Sequence, residues 1–298
     1  LICAAALSVT YIRPADAQPQ YTVTDLGALP EAAAFQSNQA GSYSYAMGLN
    51  VSGQVTGCGE LPGAACHVFL WSKGHMMDLT QKIGNNHIAY STAMNASAQV
   101  AGQLGDCVSD PPCHAAVFST GGLKDLGTLG GAQSAAEGIN APGQTTGWSL
   151  TTNGAQHAFL NSNGVMSDLS TLGGTTSAGW AINDSGQVTG YAATATAASH
   201  AFLYANGVMN DLGTLGGTSS AGYAINAAGQ VLGTSTIAGD TAYHLFLYTN
   251  GVMNDLGTLP GYTAYAQPEA INGFGDMVGY VVSPTSTIAP FLYTKGAL

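Results

Sequence analysis

The sequence predicts an all-β fold, a β-propeller of six four-stranded blades, and three observations predict it. The first is self-similarity: an Asn-led turn recurs at Asn50, Asn95, Asn140, Asn183, Asn226 and Asn272, spaced 45, 45, 43, 43 and 46 residues apart. The second is a fixed order within each unit: Ile-Asn-x-x-Gly-Gln-Val, then His-Ala-Phe-Leu-Tyr, then Asn-Gly, then Asp-Leu-Gly-Thr-Leu. Four short strand patterns in about 44 residues make the size of a propeller blade, roughly twice a β-helix coil, and no stretch carries a helical period long enough for an α-solenoid. The third is an offset at the ends. Asp-Leu steps stand at Asp25, Asp78, Asp125, Asp168, Asp211 and Asp255, each ahead of an Asn turn, so the last unit lacks a fourth strand and a spare one lies near the N-terminus. A strand over 21–29 that completes the last blade would close the ring and remove an exposed sheet edge.

Taken in order, residues 1–17 are apolar, alanine-rich and end in Ala15-Asp16-Ala17, which reads as the remnant of a secretory signal peptide. Its apolar run is too short to cross a bilayer. Residues 18–298 then form one propeller domain. Within each repeat, strand A (Ser-Ala-Gly-Tyr-Ala-Ile-Asn in the fifth) ends in a turn where Asn bonds its own backbone and Gly takes positive φ; Ala98 is the exception to Gly53, Gly143, Gly186, Gly229 and Gly275. Strand B carries a glycine in all six copies (Gly57, Gly102, Gly147, Gly190, Gly233 and Gly279), which implies close packing of neighbouring sheets there. Strand C is the His-Ala-Phe step. Asn163-Gly164, Asn206-Gly207 and Asn250-Gly251 are hairpin turns leading into strand D.

Two cysteine pairs, Cys58 with Cys66 and Cys107 with Cys113, bracket short loops just before His67 and His114. Even number and an exported chain point to two local disulfides rather than metal ligation, because the histidine recurs later without cysteine. Composition agrees with export: 5 Lys+Arg against 16 Asp+Glu give a net charge of −11, which excludes the basic stripe that nucleic-acid binding needs. No membrane span and a monomer are expected.

The repeat resembles the bacterial extracellular HAF-repeat proteins, named for the motif that stands here as His157-Ala158-Phe159 and His200-Ala201-Phe202. The resemblance covers essentially all of 21–298 and implies secretion and a repeat-built β architecture, without an activity. The departures are Val68 and Leu245 in the Ala slot, Ala115-Ala116 in the second repeat and Ala289-Pro290 in the last.

A residue repeated once per blade is spread around the disc, so His67, His114, His157, His200 and His244 are expected to bond a group within their own blades, the strand-D aspartate being the candidate. Function is sought where repeats differ. The third residue before each turn Asn is Met47, Thr92, Glu137, Trp180, Tyr223 and Glu269 in turn. Two carboxylates three blades apart with two aromatics between them would bind a cation or stack on a sugar. Glu137, Trp180, Tyr223 and Glu269 are therefore the candidate ligand-binding residues, expected beside the variable D–A and B–C connections, of which the longest runs from Leu29 to Tyr45. No cofactor is expected; calcium is compatible with the carboxylates, but no calcium-loop motif supports it. Catalytic signatures are missing: no Gly-x-Ser-x-Gly, no His-Glu-x-x-His and no phosphate-cradling loop. The sequence reads as a secreted, non-catalytic binding or scaffold module for a glycan or other extracellular ligand. The alternative is a carbohydrate-active hydrolase or lyase that uses Glu137 and Glu269.

Overall fold

Alternating small and apolar residues, punctuated by Asn and Gly, give strands of 4 to 10 residues. The computed structural model describes residues 24–27, 29, 44–60, 66–81, 89–106, 110–262 and 265–294. Blade one is β1 (Ser44–Leu49), β2 (Val55–Glu60), β3 (Cys66–Ser72) and β4 (His75–Asp78). Blade two is β5 (Ala89–Met94), β6 (Val100–Asp106), β7 (Asp110–Ser119) and β8 (Gly122–Asp125). Blade three is β9 (Gly130–Ile139), β10 (Thr145–Thr151), β11 (Gln156–Ser162) and β12 (Val165–Asp168). Blade four is β13 (Gly173–Ile182), β14 (Val188–Thr194), β15 (Ser199–Ala205) and β16 (Val208–Asp211). Blade five is β17 (Gly216–Ile225), β18 (Val231–Ile237), β19 (Tyr243–Thr249) and β20 (Val252–Gly257). Blade six has β21 (Tyr265–Ile271), β22 (Met277–Val282) and β23 (Ile288–Tyr293). Strands pair antiparallel in chain order within each blade, and a single parallel bridge, Ser199 to Ser219, joins blades four and five. The chain is a six-bladed β-propeller.

The turns follow their sequence. Asn163, Asn206 and Asn250 have φ of 53°, 54° and 53° and are each followed by a positive-φ glycine, the geometry of a tight hairpin. In the A–B turns, Asn50 Oδ1 accepts from the amides of Ser52 and Gln54, a pattern repeated at Asn95, Asn183 and Asn226. Ala98 fills the glycine slot of the second turn at φ 57°, where a Cβ is strained. Ala98→Gly should stabilise the protein by about 1 kcal/mol, the left-handed penalty less the entropy glycine adds to the unfolded chain. Thermal denaturation of the two proteins measures it, and a lower melting point for the glycine variant would reject that origin.

The histidine expectation holds. Nδ1 of His67, His114, His157, His200 and His244 lies 2.8–2.9 Å from a carboxylate oxygen of Asp78, Asp125, Asp168, Asp211 and Asp255 respectively. Each pair ties strand C to the end of strand D in its own blade. Burial pushes the Asp78 carboxyl up, but hydrogen bonds from His67 and Thr80 outweigh it and hold it below its ordinary value.

The turn asparagines also do something the repeat alone did not reveal. Five of the six donate Nδ2 forward to the backbone carbonyl of the next blade's asparagine: Asn50 to Asn95 at 3.2 Å, Asn95 to Asn140 at 3.0 Å, Asn140 to Asn183 at 2.9 Å, Asn183 to Asn226 at 3.0 Å and Asn226 to Asn272 at 3.1 Å. Five seams are thereby bonded blade to blade. Apolar clusters fill the same seams, as where Leu126, Ala101 and Ala115 of blade two meet Ala136 and Phe159 of blade three. The core is thus divided among the seams, since the sheets of blades two to five bury both faces against their neighbours.

The strand-B glycines need a different explanation from the expected packing of neighbouring sheets. A Cβ on Gly147 would meet the Ala135 carbonyl oxygen of its own blade, and one on Gly190 that of Ala178. The crowding comes from a bulge in the facing A strand, described below.

Cys58 and Cys66 are disulfide-bonded, with Cα atoms 5.5 Å apart. Cys113 is disulfide-bonded as well; its expected partner Cys107 lies outside the described residues, as do the leader 1–17 and most of the connection from Leu29 to Tyr45. The closing strand expected over 21–29 lies partly outside them. What is described of it sits against blade one as a strand-D tail sits against the blade that follows. Ser44 donates its hydroxyl to the Gly27 carbonyl at 2.9 Å, as Ser134 does to Gly127 at 2.6 Å. Among the described residues no helix is long and apolar enough to cross a membrane.

Candidate functional site

Each A strand contains one residue more than its partner opposes. Gly147 pairs with Ala136 and Thr146 with Gly138, so Glu137 is left over; Gly190 with Gly179 and Thr189 with Ala181 leave Trp180. The same slip leaves Tyr223 in blade five, Glu269 in blade six, Thr92 in blade two and Met47 in blade one. The variable slot of the repeat is a β-bulge in every blade. A bulge re-aims its extra side chain and drives a carbonyl toward the partner strand, which is why that strand must carry glycine.

The four bulge residues Glu137, Trp180, Tyr223 and Glu269 line one recess of about 300 Å³, floored by Ile139, Ile182, Ile225 and Ile271. It sits toward the Asn-turn ends of the inner strands, away from the variable connections beside which it was expected. Burial pushes the Glu137 carboxyl from 4.5 up to about 7, against the pull of the Trp148 indole. Glu269 is exposed on the opposite wall and is raised by partial burial.

A second recess of about 280 Å³ shares Trp180 and Tyr223 and adds Tyr191, Tyr243, Tyr265 and Ser199. It faces the strand ends that carry the D–A and B–C connections. Ring centroids lie 4.7 Å apart for Trp180 and Tyr223, 5.0 Å for Trp180 and Tyr191, and 6.4 Å for Tyr243 and Tyr265. Gln156 Nε2 donates to the Tyr191 hydroxyl at 3.2 Å. Burial, then its polar contact with Tyr265, raises the Tyr223 hydroxyl above its ordinary value, so the phenol stays neutral and able to donate. These aromatics form a continuous belt through blades four to six. Tyr191, Tyr243 and Tyr265 escaped the sequence reading, which followed one variable slot; Tyr191 occupies a second one, where the other blades have Cys58, Gln103, Trp148, Thr234 and Tyr280.

No group of three or more His, Cys, Asp and Glu side chains able to hold a metal occurs among the described residues. The donor set of the axial recess is two carboxyl groups, both drawn by burial toward their neutral forms. Chemically the site offers aromatic faces, phenolic hydroxyls and a carboxyl that burial draws toward its protonated form.

Among solved structures, a prolyl endopeptidase is similar in fold, with a TM-score of 0.57, 9% identity, and coverage of 82% of this chain and 40% of that one. TolB from Acinetobacter baumannii gives a TM-score of 0.48 at 13% identity over 81% of this chain and 64% of that chain. An Aleuria aurantia lectin in complex with Fucalpha1-6GlcNAc gives 0.41 at 10% identity over 85% and 92%. The chain spans less than two thirds of the endopeptidase and of TolB. No protein-family model matches the sequence, and no curated protein does. Likeness at this level concerns fold alone, and function has to be argued from the site.

Proposed function

We propose that this propeller is an exported, non-catalytic glycan-binding module whose site is the axial recess and its aromatic wall. The observation that carries the reading is the pair Trp180 and Tyr223, presented by bulges 4.7 Å apart between two carboxyl groups. Sugar rings offer apolar C–H faces to aromatic planes and hydroxyls to carboxyls, and both kinds of partner converge here. Glu137, largely protonated below about pH 7, both donates and accepts. The resemblance to HAF-repeat proteins and the scarcity of basic residues support an extracellular or periplasmic location.

A glycan array probed with purified protein is the test. Trp180→Ala with Tyr223→Ala should weaken binding by at least about 30-fold, the loss of roughly 2 kcal/mol typical of a central aromatic anchor. Glu137→Gln with Glu269→Gln should weaken it further. His200→Ala should lower the melting temperature and leave affinity intact. Binding that survives both double variants would move the site elsewhere.

One observation favours a second reading. A carboxyl titrating near 7 opposite a second carboxylate is the arrangement of a glycosidase acid and base. Release of product from the bound glycan, lost in Glu137→Gln, would convert the module into a hydrolase or lyase.

A further inference from the structure

We infer that the seam between blades two and three holds an internal water-binding site, built from Thr145 and Asn161, at the level where neighbouring seams hold an aromatic ring. Comparison among the repeats carries this, with no assumption about the recesses. Thr145 of β10 and Asn161 of β11 stand directly opposite each other. In the other blades the same cross-strand pair is Val55 with Trp71, Val100 with Phe118, Val188 with Tyr204, Val231 with Tyr248 and Met277 with Tyr293. Five blades thus set an apolar side chain against a ring, and blade three sets a hydroxyl against a carboxamide.

Both polar groups are cut off from solvent. Thr145 is 1% exposed and Asn161 3%, yet Thr145 Oγ1 and Asn161 Nδ2 make no hydrogen bond among the described residues. Buried polar atoms are almost always satisfied, by protein or by ordered water, so two orphans facing each other across one strand pair call for a bridging group.

Their direction follows from the strand period. Thr145 and Asn161 lie two residues from Gly147 and Phe159 and share their face of the sheet, and Phe159 packs against Ala101, Ala115 and Leu126 of blade two. The equivalent Val188 and Tyr204 pack against Ala158, Leu160 and Leu169 of blade three, and Val231 and Tyr248 against Ala201, Leu203 and Leu212 of blade four. Exchanging such a ring for a carboxamide removes more volume than the roughly 30 Å³ that one water occupies. Blade two does not refill the slot. Val117 stands where blades one, three, four and five present Leu70, Leu160, Leu203 and Leu247. Ala101 is small as well, but there the Cβ of Ala136 compensates, its counterparts in blades four and five being Gly179 and Gly222. Lys124 of blade two reaches across to the β11–β12 turn, with Nζ 3.3 Å from where a Cβ on Gly164 would stand, so its stem closes the outer end.

The chemistry of the slot selects its occupant. A water accepts from Asn161 Nδ2 and shares a hydrogen bond with Thr145 Oγ1, which meets the minimum of two polar partners for a buried water. An apolar guest would leave both groups unpaired.

A high-resolution crystal structure of the native protein, together with two variants, tests the site. Density for a water within about 3.2 Å of both Thr145 Oγ1 and Asn161 Nδ2 is expected. Thr145→Val with Asn161→Tyr installs the pair that blade four uses; it should expel the water and raise the melting temperature by about 3 °C. Thr145→Val alone keeps the shape of the slot and leaves the water one partner, so it should lower the melting temperature by about 3 °C. Were the hydroxyl simply unpaired, removing it would have the opposite sign. A slot without density, a direct bond between the two side chains, a Thr145→Val protein that melts as high as the native one, or a double variant less stable than the native one would each overturn the inference.

Discussion

Gly190→Ala should cost the protein about 3 kcal/mol and lower its melting temperature by roughly 6 °C, more than any other single methyl added to blade four. Its Cβ would stand 1.9 Å from the Ala178 carbonyl oxygen and 2.9 Å from the carbonyl carbon, both backbone atoms that no rotamer change can move aside. Relief requires the bulge at Trp180 to shift, so the substitution should also alter Trp180, even though residue 190 itself lines neither recess. Denaturation followed by tryptophan fluorescence reads both effects. An alanine variant that melts like the parent would mean that the bulge is not what demands glycine.

The second large effect is a pH dependence. A carboxyl whose folded pKa of about 7 exceeds its ordinary 4.5 holds its proton more tightly in the folded state. Its influence is absent below pH 4.5; stability then declines as pH rises and is lowest above 7, by up to about 3 kcal/mol for a shift of this size. Glu137→Gln removes the decline. The variant should match the parent at pH 4.5 and exceed it clearly at pH 8. Asp78 works with the opposite sign: its carboxyl is held low, so what it contributes is present at neutral pH and disappears as pH falls below its ordinary 3.8. A stability optimum between the two is expected. Melting curves from pH 4 to 8 that run parallel for parent and Glu137→Gln would refute the burial of that proton.

Much of this was legible in the sequence, for a physical reason. Turn chemistry and strand alternation are local, so Asn-Gly hairpins, the Asn-x-x-Gly turns and the His–Asp pairs eleven residues apart could be read from spacing. The order of blades followed from the repeat itself. The bulge was not legible, because a slipped register is a property of two strands; its trace, a glycine opposite every variable residue, was seen and assigned to the wrong neighbour. Glu137, Trp180, Tyr223 and Glu269, which line one recess, could be singled out because a slot that varies among identical frames stands out. Tyr243 and Tyr265 were missed because they start strands, where the repeats differ for many reasons. The five forward asparagine bonds were hidden too, since its own turn already accounted for each residue.

The five forward bonds are all head-to-tail: each takes an amide from one blade and a carbonyl from the next, and none of these seams is its own mirror. A heterologous joint of this kind contains no instruction to stop. It fixes the rotation from one unit to the next, and whether the series meets itself or runs on as a spiral depends on how that rotation divides a full turn.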